Sequence, residues 1–238
     1  MGKLSTFAQT KIFEMKKLLL FVCLSAFFSG NILGQATDLI ISEYAEGSSN
    51  NKYIEIYNGT GDSVNLDGYQ LWRISNGGSW PESTVQLTGW ILDGEVLVAA
   101  NSSADPIILA ANNATTAYSS ATFFNGDDAV GLAKDTGSMS FVLIDAVGQS
   151  GVDPGTGWDV AGVANATAEH TLVRKPDVCS PDTNWVASAG TTVANSQWIV
   201  FPQNTWDSIG AHTMICASGP AQIDLPITWD DTANVDYT

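Results

Sequence analysis

The stretch FFNGDDAVGLAK, Phe123 to Lys134, sets two adjacent carboxylates against an apolar alternation. Asp127 and Asp128 could help hold calcium, which is bound by several carboxylate and carbonyl oxygens, but the full D-x-[DN]-x-[DN]-G loop is absent. Turn chemistry accounts for the same residues. Asn125-Gly126 would supply the φ > 0 positions of a tight turn, and aspartates beside a turn accept backbone N–H bonds. Glu43 and Glu55 form a second pair. They would share a site if their strands pair, and would need polar partners there because an unpaired buried carboxylate is costly. DDTANVD, Asp230 to Asp236, offers three more carboxylates.

Nucleophilic and zinc chemistry find little support. The only histidines are His170 and His212, and neither belongs to an H-E-x-x-H or G-x-S-x-G motif. Each reads as a polar residue at a strand end. No G-x-x-x-x-G-K-[ST] loop and no strand-coupled G-x-G-x-x-G cradle phosphate. The expectation is therefore no catalytic residue, no cofactor-binding residue, and calcium at Asp127 and Asp128 as the one metal candidate.

The elements that would carry these residues begin after a leader. Met15-Lys16-Lys17 precedes LLLFVCLSAFFSGNILGQA, the charged, apolar and small-residue succession of a secretory signal peptide, Met15 to Ala36. Residues 1–14 read as an over-long start. This implies a secreted or cell-surface protein, not integral to the membrane after cleavage. Four of the nine basic residues, but one of the 25 acidic ones, precede residue 37, so the remainder carries a net charge of −19. Such a field repels phosphate backbones and argues against direct nucleic-acid binding. Cys23 lies in the leader, so Cys179 and Cys216 remain as a pair in an oxidising compartment and are expected to form a disulfide.

From Asp38 onward the pattern is strand after strand between Gly, Asn, Asp, Ser and Pro. DLIISEY, KYIEIYN, VNLDGYQLWRI, STVQL, GEVLVAAN, PIILA, AVGLAK, SFVLIDAVGQ, HTLVRK and SQWIVF predict an all-β sandwich or barrel. In KYIEIYN, Ile54 and Ile56 share one face, and Tyr53, Glu55 and Tyr57 the other. Residues 37–213 read as one domain, 214–222 as a linker, and 223–238 as the truncated start of a second β-rich segment or as a tail. Trp72, Trp80, Trp90, Trp158, Trp185, Trp198 and Trp206 could form a carbohydrate platform, although core packing is the commoner use of such rings.

LIISEYAEGSSNNKYIEIYNGTGDSVNLDGYQLWR (Leu39 to Arg73) resembles the opening of a lamin-tail-type domain in its bacterial secreted form. The likeness continues through FFNGDDAVGLAK, IDAVGQSGVDPGTGW, TLVRKPDV and QWIVFPQNTWDSIGAHT, in the expected order, to Thr213. The resemblance implies an immunoglobulin-like β-sandwich without intrinsic catalysis. It further implies an accessory interaction or targeting module of a larger secreted protein, its partner an extracellular protein or polysaccharide. Such modules accompany nucleases, phosphatases and other hydrolases, whose catalytic part is absent from these residues. A carbohydrate-binding role through exposed tryptophans is the alternative reading.

Overall fold

The computed structural model describes residues 35–216. The leader up to residue 34, most of the 214–222 linker, the 223–238 segment and its carboxylates Asp230 to Asp236 lie outside the described residues.

Chain order gives β1 (Ile40–Glu46), β2 (Lys52–Tyr57), β3 (Val64–Asn65), β4 (Tyr69–Ile74), β5 (Ser83–Gln86) and β6 (Trp90–Ile91). Then follow β7 (Val96–Ala100), α1 (Pro106–Leu109), β8 (Ala114–Thr115), β9 (Ala129–Asp135), β10 (Phe141–Val147), β11 (His170–Arg174), α2 (Trp185–Ala189) and β12 (Trp198–Pro202). A six-stranded sheet runs β12-β11-β1-β2-β7-β8, and a four-stranded sheet runs β10-β9-β4-β5. β3 and β6 make a small separate ribbon. The result is an all-β, immunoglobulin-like β-sandwich.

The core between the sheets takes Ile41, Ile54, Ile56 and Leu172 from one sheet and Leu71, Val130, Leu132 and Val147 from the other. The six-stranded sheet is covered on its outer face too. There Ile40, Tyr53, Tyr57 and Val98 pack with Ile108 of α1 and with Trp206, Ile209 and Met214 of the C-terminal segment. This double burial explains why every residue of β1 is buried, including Ser42, Glu43 and Glu46. The alternation in KYIEIYN sorts as expected, with Ile54 and Ile56 inward and Tyr53 and Tyr57 in the outer cluster.

PIILA is not a strand. Asp105 accepts the Ile107 N–H at 2.9 Å and Pro106 opens a short helix, α1. An Asp N-cap followed by Pro at the first helical position outweighs the β preference of two isoleucines.

Cys179 and Cys216 form a disulfide with a sequence separation of 37. It fastens the C-terminal segment beside β11, where the Ile215 N–H also bonds the Pro176 carbonyl at 2.6 Å. A closure of this length stabilises by up to about 4 kcal/mol in the chain-entropy model. Thermal unfolding with and without reductant should therefore separate by roughly 10 °C, the reduced form melting first.

Candidate functional site

Three polar constellations lie within the sandwich, and each begins with a residue that the sequence singles out or hides. The first is the acidic turn. Asp128 accepts the Asn125 N–H at 3.0 Å through one carboxylate oxygen and the Asn76 N–H at 3.2 Å through the other. It thereby ties the turn before β9 to the turn after β4. Burial raises its pKa, and these two N–H donors oppose the rise. Asp127 is half-buried, with one carboxylate oxygen buried and without a partner among the described residues. Among the described residues no group of three or more His, Cys, Asp or Glu is placed to hold a metal ion.

Asn125 and Gly126 do not adopt positive φ. Glycine is required at 126 for a different reason. A Cβ there would sit 2.2 Å from the Ala168 Cβ and 2.7 Å from the Thr156 carbonyl oxygen. The Gly126 carbonyl accepts the Thr167 hydroxyl at 2.7 Å, and the Thr167 oxygen accepts the Trp158 N–H at 2.8 Å. The turn is thus a contact with the 156–168 loop. Gly126→Ala should lower the unfolding free energy by about 1–3 kcal/mol, read from the urea midpoint, through overpacking against backbone.

The second constellation is the glutamate pair. Glu43 of β1 stands directly opposite Glu55 of β2, on the outer face and fully buried. Ser208 donates to Glu43 at 2.8 Å, and the Tyr53 hydroxyl donates to its other oxygen. Ser42 and the Gly210 N–H donate to Glu55, each at 2.7 Å. Burial pushes Glu43 up to about 6. Burial, then the neighbouring Glu43, pushes Glu55 up to about 8. At neutral pH Glu55 keeps its proton, so the pair carries a single charge or less. Ser208 and Gly210 belong to the C-terminal segment, which is therefore a polar lid on the pair.

His212 of that segment sits edge-on to the Tyr57 ring, centroids 4.9 Å apart. Burial drives its pKa down to about 4, and its Nε2 has no partner among the described residues. His170 lies at the start of β11 with Nδ1 2.6 Å from the Ala168 carbonyl oxygen. Both rings hold places in loop packing.

The third constellation was not foreseen from the sequence. Arg174 of β11 and Asp145 of β10 form a fully buried ion pair, in which the Arg174 Nη2 donates to both carboxylate oxygens at 2.7 Å. Asp145 also accepts the Ile41 N–H at 2.8 Å, and the Arg174 Nε donates to the Ile41 carbonyl at 3.0 Å. The β1–β11 ladder ends at Glu43 opposite Val173. Beyond it, the two side chains serve Ile41 as a strand partner would, since both its backbone groups need one. Register shifts occur between Ile41 and Glu43 in β1 and between Leu143 and Asp145 in β10, both at this joint. The guanidinium lies 3.9 Å over the Trp198 ring and donates to Gln197 at 2.7 Å. Burial raises the Asp145 carboxyl, and the guanidinium and backbone donors counter it. The signal in the sequence was an aspartate inside the apolar run FVLIDAV and an arginine closing HTLVR.

The Lamin Tail Domain family model matches residues 34–151. The chain carries a lamin tail domain. The matched span holds β1 to β10, hence Glu43, Glu55, Asp128 and Asp145. Arg174 lies beyond it, so the ion pair joins the lamin tail domain match to a strand outside the matched residues. No curated protein and no solved structure matches the chain.

The tryptophans among the described residues are mostly internal. Trp72, Trp158, Trp185 and Trp198 are buried, Trp80 and Trp206 are partly buried, and Trp90 is 66% exposed. Trp158 meets Trp185 edge to face at 6.3 Å. A seven-ring sugar platform is therefore not what these residues build.

Proposed function

We propose that this chain is a non-catalytic, extracellular interaction or targeting module of a larger secreted or cell-surface bacterial protein. The observation that carries the reading is the lid over the glutamate pair. The carboxylates with the most raised pKa values lie beneath Ser208 and Gly210, with their oxygens bonded by protein donors. Perturbed acids mark active sites when they face a cleft; these face packed protein. The lamin tail domain is an immunoglobulin-like fold, suited to presenting loops and sheet faces. The disulfide and the leader support an oxidising, extracellular destination. Among the described residues no helix is long and apolar enough to cross a membrane. The net charge beyond the leader disfavours nucleic acid as a direct partner.

The test is turnover. The purified chain should hydrolyse neither DNA, RNA nor a chromogenic phosphodiester. Turnover that Glu43→Gln or Glu55→Gln abolishes would overturn the reading. Carbohydrate binding is the second reading, favoured by the exposed indole of Trp90. Glycan binding that disappears with Trp90→Ala would establish it.

A further inference from the structure

The outer face of the four-stranded sheet carries a groove of about 550 Å³. Trp72 and Phe141 give it an aromatic side, with Met139, 84% exposed, at its rim. Gly131 of β9 stands opposite Trp72 of β4. The space a side chain would take there is filled by Leu143 and by Trp80, whose ring lies 6.5 Å from that of Trp72.

The polar lining is dominated by acceptors. The Trp72 N–H is taken by the Gln70 carbonyl oxygen at 2.9 Å, and Gln70 donates to Gln86 at 3.2 Å. Gln86 spends its own amide N–H groups on the carbonyls of Asp67, Tyr69 and Leu87. Asp67 and Asp135 each accept one loop N–H, from Gly89 and Gly137. The second oxygen of each carboxylate has no donor among the described residues. No Lys or Arg lines the groove. Of the five basic residues after the leader, Lys52, Lys134 and Arg174 are ion-paired elsewhere.

We propose that this groove binds a basic peptide segment of a partner protein. The occupant follows from charge complementarity. Two free carboxylate oxygens call for a ligand rich in N–H donors. Aromatic faces and a thioether accept a guanidinium or the stem of a lysine. The net negative field steers such a segment inward. The proposal rests on the interaction-module reading and names its partner class.

The experiment uses fluorescein-labelled hexa-arginine, read by fluorescence anisotropy at near-physiological salt, with labelled cellohexaose as the neutral glycan probe. Asp67→Asn/Asp135→Asn keeps an oxygen for the Gly89 and Gly137 N–H bonds. It should weaken hexa-arginine binding at least tenfold. Asp62→Asn/Asp207→Asn removes the same charge at exposed positions away from the groove and should weaken it less than twofold. Met139→Lys, which leaves both carboxylates in place, should weaken binding as well. Equal losses in the two double variants would reduce the effect to diffuse charge and overturn the proposal. So would binding of cellohexaose without the peptide, or binding of neither probe. These failures leave the non-catalytic module standing on another surface, whereas hydrolytic turnover would remove that reading whatever the peptide does.

Discussion

Arg174→Met lowers the unfolding free energy by about 3–5 kcal/mol, the usual cost of stranding one member of a buried ion pair. In a domain stable by about 5–15 kcal/mol, that change takes the protein close to its unfolding threshold. Two losses combine. Asp145 stays fully buried without its counter-charge, and the Ile41 carbonyl loses the Arg174 N–H. Asp145→Asn makes the reciprocal error, leaving the guanidinium unpaired. The double variant Asp145→Leu/Arg174→Met separates two views of the pair. An ordinary buried ion pair can be exchanged for apolar residues at little cost. Here the exchange also orphans both backbone groups of Ile41, at about 1–3 kcal/mol each. Urea unfolding should place the double variant at least about 2 kcal/mol below the wild type. Equal stability would show that the pair is replaceable packing, not a substitute for a missing strand.

Glu55→Gln has the opposite sign and is read against pH. In the folded protein Glu55 titrates near 8, against an ordinary value of 4.5. Between those values the folded state holds a proton that the unfolded chain releases. Stability from this group is therefore complete below pH 4.5 and is lost as pH rises through 8. Glu43 adds a smaller decline between 4.5 and 6. Wild-type stability should fall by on the order of 2–4 kcal/mol from pH 5 to 9. The glutamine cannot ionise, and it can still accept the Gly210 N–H and donate to Ser42. The variant should match the wild type near pH 5 and exceed it at pH 9. His212 acts in the other direction. Its folded pKa is depressed to about 4, so its contribution is lost as pH falls from its ordinary 6.5 through 4. A second decline on the acid side should persist in Glu55→Gln.

The readable part of this molecule was its alternation. Ile54 and Ile56 against Tyr53 and Tyr57 sort onto two faces because a strand has a period of two, and both faces here are buried. The facing of Glu43 and Glu55 followed once β1 and β2 were paired. What covers that pair was not readable, because Ser208 and Gly210 lie more than 150 residues away in sequence from their partners. The Asp145–Arg174 joint was hidden for the same reason, with a separation of 29 and no local motif. PIILA misled because a short helix depends on one capping side chain more than on the character of its residues. Gly126 was rightly marked as special but for the wrong cause. Its constraint comes from Ala168 and Thr156, which no local turn rule contains. The acidic turn is better understood as a seam between two parts of the sandwich than as the start of a site.

The acids inside this sandwich are sealed joints, which leaves its surface to the proposed interaction role. Carboxyl-resolved NMR titration of the folded chain, with each glutamate assigned by substitution, distinguishes a sealed pair from a hydrated one. Glu55 should titrate near pH 8 and Glu43 near 6, apart from the solvent-exposed glutamates. Both residues titrating near 4.5 would mean an open, hydrated pair with no seal over it.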